Sequence, residues 1–539
     1  MYLDRKNCCS TPSRSQAFKK SLAYSPFMSY SSSTPYHRSH DLKPNPSIET
    51  DTETWISTLP RLARVAHAGH VKRCLTGLPD SQVDLDSSRL AIIFYCIGTL
   101  DLLGLVPDKV SEADMEMWRE WIWEQYVSGP YGAGFRPSPF MNTNSSANEA
   151  SALQPSSPYD TPHLITTYTA ILTLAILRDD FKRLDRQGLR RLVGSCQRVG
   201  ERGDGSFSTI PLSSSTSASS GPRGDVGTDE GRDTDLRTLY CAFVLCHLLD
   251  DWSTIDVEKA MEFVGGCRTY EGGYGISINC EAQGGSTYTA LASIYLAPQP
   301  QPSSTPSGRS GTTPSLPLSG PSTQAGSTPM QPGSSSESGP DAAAGMSGST
   351  STMKTQTQTP RLTPQEISQT TSYLLRLQQA HSSGGDDDGG DQDKKSKRSG
   401  HGGFAGRTNK DADACYCFWC GAGLKILGKS HLVDSRALVS FLADCQFRFG
   451  GIGKAPGENP DPYHTYLALA ALSMYTPFRS RPHPSTSGVP AEPLAINAGV
   501  DTVNDPNLST WTLDPLDPLI NAREETARWA REKVRMRPE

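Results

Sequence analysis

Apolar positions along the chain fall into two kinds of helical segment that alternate with each other. One kind keeps a polar face that can lie against solvent, as in segments 187–199, 256–267, 363–380 and 433–446. The other kind is apolar on nearly every side and must be enclosed, as in segments 87–104 and 164–177. This alternation predicts concentric inner and outer rings, an all-α α/α toroid of about six helix pairs.

A short glycine-aromatic turn is repeated ahead of the enclosed segments. The copies are YGAGF (131–135), DGSF (204–207), GGYG (272–275), GGF (402–404) and GGIG (450–453). Each is followed by a polar residue suited to cap a helix and then by an apolar helix. Repetition of one such unit is typical of a closed ring or a solenoid. Before the first copy, segments 59–75 and 111–126 also read as helices, the latter with Ser111 and Asp114 in capping positions.

Composition separates this repeat from segments that cannot form a core. The chain has 40 prolines, 48 glycines and long Ser/Thr tracts, which favour disorder. We therefore expect a disordered extension at 1–50, with a transit peptide as the alternative. A barrel at 51–480 would carry low-complexity inserts at about 208–233, 298–360 and 381–400. Residues 481–539 would form a C-terminal tail with a short helix.

Charge and cysteine content exclude several classes of protein. The net charge of -6 and the pI near 6.0 argue against a nucleic-acid-binding protein, which needs a dense basic face. The 13 cysteines are scattered and odd in number, as expected in a reducing compartment. The apolar run 164–177 is shorter than the roughly 20 residues that span a bilayer. We expect a cytoplasmic protein with no membrane span and no nucleic-acid partner.

Candidate metal ligands stand at the starts of two enclosed helices. Asp413 and Cys415 open one of them, and His464 falls at the matching position of the next repeat. Equivalent positions of neighbouring inner helices face one end of a toroid, so the three side chains would converge. Carboxylate, thiolate and imidazole are zinc ligands, and three of them with an open fourth position are typical of a catalytic site. A capping aspartate, a buried cysteine and a helix-start histidine without a metal remain the alternative.

Other charged or thiol-bearing groups nearby allow further interpretations. Arg407 and Lys410 lie in the glycine turn before the metal pair, where they could hold a phosphate or simply be solvated. An all-thiolate cluster would add Cys417 and Cys420 to Cys415, but these positions spread around a helix. The segment DDGGD (387–391) matches an aspartate-rich magnesium motif only formally, because that motif needs a helix and this one lies in a Gly/Ser/Asp loop.

Several segments together resemble a known family. GGFAGRTNKDADACYCFWCGAGLKIL (402–427), the earlier YEGGYG and GGSTYTALASIYL, and the later DPYHTYLALAAL resemble the β subunits of protein prenyltransferases. The resemblance runs from about Ser87 to Tyr475 outside the inserts, and is greatest to the type I geranylgeranyl enzymes. It implies an α6/α6 barrel around an isoprenoid cavity and a heterodimer with a separate α subunit. It also implies transfer of a C20 group from geranylgeranyl diphosphate to the cysteine of CaaX proteins. These substrates would be proteins of the small GTPase type whose CaaX sequence ends in leucine.

The resemblance also implies roles for individual residues. One zinc ion falls on Asp413, Cys415 and His464. The diphosphate falls on Arg407, Lys410 and Tyr416, with Thr408 and Asn409 between the first two, and on the segment Gln283, Gly284 and Gly285. The lipid would run along Cys417, Phe418 and Trp419, and the peptide would lie near His163, Arg237, Tyr95 and Tyr463.

Three positions within this pattern bear on subtype and activity. A small residue at Ala91 leaves room for the longer lipid, where farnesyl enzymes carry tryptophan. Lys454 stands where farnesyl enzymes place a magnesium-binding carboxylate, so magnesium is not expected to be required. Gln283 replaces a family histidine that donates to the diphosphate, and its amide can donate a hydrogen bond but carries no charge.

Other functions on the same scaffold stay open at this point. A farnesyltransferase or a Rab geranylgeranyltransferase β subunit would share the barrel and the zinc ligands. A catalytically weakened partner of the α subunit is suggested by Gln283 and by the inserts. Terpene cyclases also share the toroid, but the sequence has no DxDD acid motif in a helical context.

Overall fold

The structure is a computed structural model in which only part of the chain is described. The described residues are 59–79, 82, 85, 87–138, 161–200, 203–212, 234–298, 361–379, 402–475 and 508–536. The expected N-terminal extension, the DDGGD segment and most of the three inserts lie outside these residues.

Twelve helices within the described residues alternate between two layers. The outer helices are α1 (Arg64–Thr76), α3 (Glu112–Trp123), α5 (Arg186–Cys196), α7 (Val257–Gly266), α9 (Pro364–Arg376) and α11 (Ser435–Asp444). The inner helices are α2 (Arg89–Leu102), α4 (Leu164–Ile176), α6 (Leu236–Leu249), α8 (Gly284–Leu296), α10 (Ala414–Ile426) and α12 (Pro462–Tyr475). Each inner helix packs against the next, and α12 packs against α2, so the inner ring is closed. The predicted all-α toroid is confirmed.

Backbone hydrogen bonds join each unit of the ring to the following one. The first amide groups of a helix have no partner within it. Here an amide at the start of an inner helix donates to a carbonyl in the turn of the next unit. The pairs are Leu90 to Pro137 (3.4 Å), Leu164 to Thr209 (2.7 Å), Leu236 to Ile276 (3.0 Å), Gly284 to Gly406 (2.8 Å) and Ala414 to Lys454 (2.8 Å). These bonds fix the helix starts relative to one another, and the candidate chemistry lies there.

The repeated glycine turns pack against the backbone of the next outer helix. Gly450 has a φ of 96°, and a Cβ there would lie 1.9 Å from the Ala66 carbonyl oxygen of α1. Gly402 has a φ of 95°, and its Cβ would lie 2.3 Å from the Ala437 carbonyl oxygen of α11. Only glycine combines a positive φ with so close an approach. The turn at Gly450 contacts the first outer helix and so closes the outer layer.

Short antiparallel hairpins were not predicted from the sequence. They pair β1 (Tyr126–Gly129) with β2 (Gly132–Phe135), β3 (Tyr274–Gly275) with β4 (Ala282–Gln283), β5 (Ile452–Gly453) with β6 (Pro460–Asp461), and β7 (Leu516–Asp517) with β8 (Ala522–Arg523). Most strands are two residues long, too short to show alternation of apolar and polar positions.

Three turns that precede inner helices have the same form and bring equivalent residues to the same place. They are the β3–β4 hairpin, the loop 404–413 and the β5–β6 hairpin. Each has its left-handed residue at the same position: Asn279 (φ 64°), Asn409 (φ 61°) and Gly457 (φ 85°). In consequence Gln283, Asp413 and Asp461 are structurally equivalent, each ending its turn where an inner helix begins.

The C-terminal segment is part of the core. Trp511 and Ile520 are buried, and the final helix α13 (Glu524–Val534) packs on α4 and α6. Four inner-helix tyrosines donate their hydroxyl groups to consecutive carbonyls of the β7–β8 hairpin. These are Tyr288 to Pro518 (2.9 Å), Tyr240 to Leu519 (3.1 Å), Tyr168 to Ile520 (3.0 Å) and Tyr466 to Asn521 (2.7 Å). For this segment the sequence predicted only a tail with a short helix.

Two further observations concern the expected boundaries and the membrane. Ser208 and Thr209, which composition assigned to the first insert, belong to the ring, because Ser208 is buried and Thr209 accepts the bond from Leu164. No helix among the described residues combines the length and the apolar character that a membrane span requires.

Candidate metal centre and surrounding site

The predicted site residues lie mostly in one layer, formed by the N-terminal ends of the inner helices. His163, Asp235, Gln283 and Asp413 are the N-cap residues of α4, α6, α8 and α10. Asp413 accepts a hydrogen bond from the Cys415 amide at 2.9 Å. Gln283 is the exception, since its side chain makes no capping hydrogen bond. The repeat thus presents one polar side chain per unit at the same end of the barrel.

Asp413, Cys415 and His464 converge, as predicted. Each offers one ligand atom, and these atoms lie within 4.8 Å of one another. His464 Nε2 is 3.4 Å from Asp413 Oδ1. Asp413 and Cys415 are buried and His464 is partly buried. A carboxylate, a thiol and an imidazole at this spacing fit a zinc ion with three protein ligands. In the described part of the chain, no other group of three or more His, Cys, Asp or Glu side chains is arranged to hold a metal ion.

The protonation of these three groups follows from their burial and mutual contact. Burial raises the pKa of the Cys415 thiol to about 12. Burial alone would lower the pKa of His464, but hydrogen bonds with Asp413, Asp461 and Cys415 raise it to about 12. Zinc requires a thiolate and a neutral imidazole, so its binding would release both protons.

Asp461 orients the histidine of this group. Its Oδ2 lies 2.6 Å from His464 Nδ1, and its Oδ1 accepts the His464 amide at 2.9 Å. The ring is thereby held with Nε2 toward Asp413. A carboxylate on the far nitrogen of a metal-binding histidine fixes the tautomer and increases the basicity of the ligand.

Replacement of Asp461 with asparagine is expected to weaken zinc binding about 10-fold or more, because one amide oxygen cannot accept both bonds and carries no charge. Zinc affinity measured by competition with a chelator checks this. Asp256→Asn is the matched control, since Asp256 caps the outer helix α7 through the Lys259 amide. An unchanged affinity in Asp461→Asn would show that the contact does not support the metal.

The loop carrying Arg407 and Lys410 is a tight turn beside Asp413, Cys415 and His464, which are called the metal group below. The Lys410 amide donates to the Arg407 carbonyl at 3.3 Å, and Asn409 takes the left-handed conformation between them. Thr408, Asn409 and Lys410 are exposed, whereas Arg407 is partly buried. Two cations on one turn next to Asp413 are placed where an anion could approach the metal ligands.

Tyr416 packs against glycines from two neighbouring units. A Cβ at Gly406 would lie 2.4 Å from the Tyr416 ring carbon Cζ, and a Cβ at Gly284 would lie 3.2 Å from Cδ1. The next residue, Gly285, is half-buried at the start of α8. The tyrosine, the turn of Arg407 and the Gln283 segment are therefore in contact.

A group of aromatic side chains adjoins His464 of the metal group. The rings of Tyr463 and His464 lie 5.0 Å apart, and those of Tyr463 and Tyr95 lie 5.2 Å apart. Trp419 Nε1 donates to the Tyr463 hydroxyl at 3.2 Å. Ala91 lies one turn before Tyr95 on the same face of α2. Tyr95, Tyr463 and Trp419 thus form a continuous aromatic contact that reaches His464.

The remaining predicted residues are less closely associated with this group. Lys454 is the nearest, with Nζ 4.0 Å from Asp413 Oδ2. Arg237 pairs with Asp235, the N-cap residue of its own helix α6, and Arg237 Nε lies 3.0 Å from Asp235 Oδ2. His163 caps α4, and burial lowers the pKa of its imidazole to about 4, so it is neutral at pH 7.

Helix geometry separates the three residues predicted along the lipid. Trp419 donates to Tyr463, the neighbour of His464, and the rings of both Trp419 and Phe418 pack on Tyr288, with centroid distances of 5.1 and 5.2 Å. The Cys417 thiol instead lies within reach of the Phe404 backbone. Consecutive helical residues point in different directions, so the three cannot all line one surface equally.

The sequence did not predict a role in the site for two residues, Asp461 and Glu281. The sequence around Asp461 fits a helix cap before Pro462, and the spacing of three between Asp461 and His464 is the signal that could have revealed their contact. Glu281, which pairs with Arg407, gave no signal, because the partners stand 126 positions apart with an insert between them.

Comparison with known proteins agrees with this arrangement. The model of the prenyltransferase alpha-alpha toroid domain matches residues 62–313 and 325–522. The chain is 26% identical over 401 residues to the geranylgeranyl transferase type-1 subunit beta of Arabidopsis thaliana, covering 74% of this chain and 80% of that protein. It is 26% identical over 413 residues to the protein of the same name from Dictyostelium discoideum, covering 75% and 88%.

A solved structure supports the fold. The Candida albicans protein geranylgeranyltransferase-I complexed with GGPP aligns with a TM-score of 0.56 and 21% identity, covering 88% of this chain and 99% of that chain. The resemblance predicted from the sequence is thus confirmed. Because the toroid model covers most of the chain, this protein belongs to the prenyltransferase alpha-alpha toroid family.

Proposed function

We propose that this chain is the catalytic β subunit of a zinc-dependent protein geranylgeranyltransferase of type I. It would transfer a C20 group from geranylgeranyl diphosphate to the cysteine thiol of CaaX proteins that end in leucine. The observation that carries the proposal is the convergence of Asp413, Cys415 and His464 beside the turn of Arg407 and Lys410. The names of the relatives, both type-1 beta subunits, support the lipid and a separate α subunit as partner.

The residues of the site would bind the substrates and stabilise the charge that develops in the reaction. Arg407 and Lys410 would hold the diphosphate and stabilise the negative charge that develops as it leaves, together with the Tyr416 hydroxyl. The Gln283 amide would donate one further hydrogen bond. A zinc ion on Asp413, Cys415 and His464 would lower the pKa of the incoming peptide thiol when bound. Tyr95, Tyr463 and Trp419 would line the side on which the peptide lies.

Lys454 supports a reaction that does not need magnesium. Its ammonium lies 4.0 Å from Asp413 Oδ2 and its side chain is 57% exposed, so a bound anion would be within its reach. A fixed positive charge there can replace a divalent cation on the diphosphate. We expect transfer to be unchanged when magnesium is omitted at constant zinc.

Replacement of Ala91 with tryptophan is expected to change the preferred lipid from geranylgeranyl to farnesyl diphosphate. Ala91 is partly exposed on the face of α2 that carries Tyr95, and an indole there would fill the space of the last isoprene unit. The ratio of kcat/KM values for the two lipids should fall about 100-fold. Ala170→Ser, a change on α4, is the control for substitution on an inner helix. Retained preference for the longer lipid would contradict the role given to position 91.

The proposal is tested by incubating the purified complex with its α subunit, geranylgeranyl diphosphate and a CaaL-ended protein, and measuring the intact mass of the product. Addition of one C20 group to the cysteine supports it. A complex that binds zinc and the lipid but modifies no protein would instead support the non-catalytic partner.

A further inference from the structure

Arg407 is held by a carboxylate from the neighbouring unit of the ring. Its Nη1 donates to Oε2 of Glu281, which stands in the β3–β4 hairpin two residues before Gln283. The side chains are 33% and 53% exposed. An ion pair so open to solvent contributes little to folding stability. The contact therefore matters for where it places Arg407.

The pair is particular to this point of the ring. The three equivalent turns align residue by residue, and the position of Arg407 holds Ser277 in the preceding turn and Ala455 in the following one. A contact that only stabilised the repeat would be expected at each junction. Here the two charged residues occur together at the junction that lies between the Gln283 segment and the metal group.

Backbone and side-chain contacts together fix the position of the guanidinium. The Gly284 amide donates to the Gly406 carbonyl at 2.8 Å, which holds the two turns side by side. Glu281 engages Nη1 and so does not use the Nε–Nη2 edge. That edge has the fork geometry that binds phosphate oxygens in a bidentate manner.

We propose that Glu281 is a positioning residue for the prenyl diphosphate. By holding Nη1 it keeps the Nε–Nη2 edge of Arg407 directed toward the space between Gln283, Tyr416 and the metal ligands. This rests on the proposed function, since it takes the diphosphate to be the ligand of Arg407. Glu281 does not displace the ligand, because a solvent-screened carboxylate competes poorly with a diphosphate of higher charge.

The test uses the complex with its α subunit and geranylgeranyl diphosphate as the probe. Glu281→Ala is expected to raise both the KM and the calorimetric Kd for this lipid about 5-fold, since Arg407 then samples more rotamers, with kcat at saturation nearly unchanged. Glu281→Gln keeps an acceptor and should recover most of the loss. In an Arg407→Ala background, Glu281→Ala should have no further effect. Glu262→Ala, which removes an exposed carboxylate from α7, is the control.

The outcomes separate the two proposals. Unchanged or tighter lipid binding in Glu281→Ala, or an equal loss in the Arg407→Ala background, overturns the positioning role. Because calorimetric binding needs no turnover, it tests this role even in a complex that transfers nothing. Absence of transfer by the unaltered complex would instead overturn the proposed function.

Discussion

Replacement of Cys415 with alanine is expected to abolish both zinc binding and prenyl transfer. Cys415 supplies the single thiol of the three-ligand group, and the two remaining ligands, Asp413 and His464, form an ion pair with each other without it. Two ligands do not hold zinc tightly, and without the metal the pKa of the peptide thiol stays near its ordinary value. Zinc content by atomic emission and transfer to a CaaL peptide measure the two effects.

Cys420→Ala is the matched control for this experiment. Cys420 is a buried thiol on the same helix, with Sγ 3.9 Å from the Ala405 carbonyl oxygen and away from the metal group. The variant should keep its zinc and its activity. Zinc loss in Cys420→Ala would favour the all-thiolate cluster. Retention of zinc and turnover in Cys415→Ala would show that the ligand assignment is wrong.

Removal of the chain after residue 507 is expected to prevent folding of the barrel. The four tyrosine hydroxyls that bond to carbonyls 518–521 would lose these acceptors, at a cost of about 0.5–1.5 kcal/mol each. The apolar contacts of Trp511 and Ile520 would also be lost. This approaches the whole stability of a typical protein, about 5–15 kcal/mol. Circular dichroism and thermal unfolding of the truncated chain measure the effect.

A point variant tests the same contact in a protein that still folds. Tyr466→Phe removes only the hydroxyl that donates to Asn521, and should lower the free energy of unfolding by about 1 kcal/mol or somewhat more. Tyr270→Phe is the control, because that side chain is 97% exposed. A truncated chain with the unfolding midpoint of the full protein would contradict the role of the hairpin.

The sequence predicts the helices and their arrangement because both follow from local patterns. An inner helix such as Leu164–Ile176 is apolar on every side, while an outer one such as Arg186–Cys196 keeps a polar face. The glycine turns mark the repeat, since each must accept a positive φ against the next outer helix. The helix starts of successive repeats then place Asp413 and His464 at the same end of the barrel, although the structural equivalent of Asp413 is Asp461 and His464 lies three residues further on. The sequence contains this information without any knowledge of long-range contacts.

The features that the sequence did not predict depend on contacts between distant residues. The hairpin 516–523 is too short to show a periodic pattern, and it is held by tyrosines on four other helices. Glu281 and Arg407 meet only because two turns are held side by side across an insert. The sequence around Asp461 fits a helix cap before Pro462, but the contact of Asp461 with the His464 ring depends on a rotamer. Local periodicity carries no information about such pairings.

We propose that this chain transfers a geranylgeranyl group by means of the site at Asp413, Cys415 and His464. The most direct measurement is a competition assay of the complex with its α subunit, supplied with zinc but no magnesium, in which geranylgeranyl and farnesyl diphosphate compete for CaaL and CaaM peptides. We expect magnesium-independent transfer of the C20 group, preferentially to the CaaL peptide. Preferential transfer of the farnesyl group, or a requirement for magnesium, would contradict it.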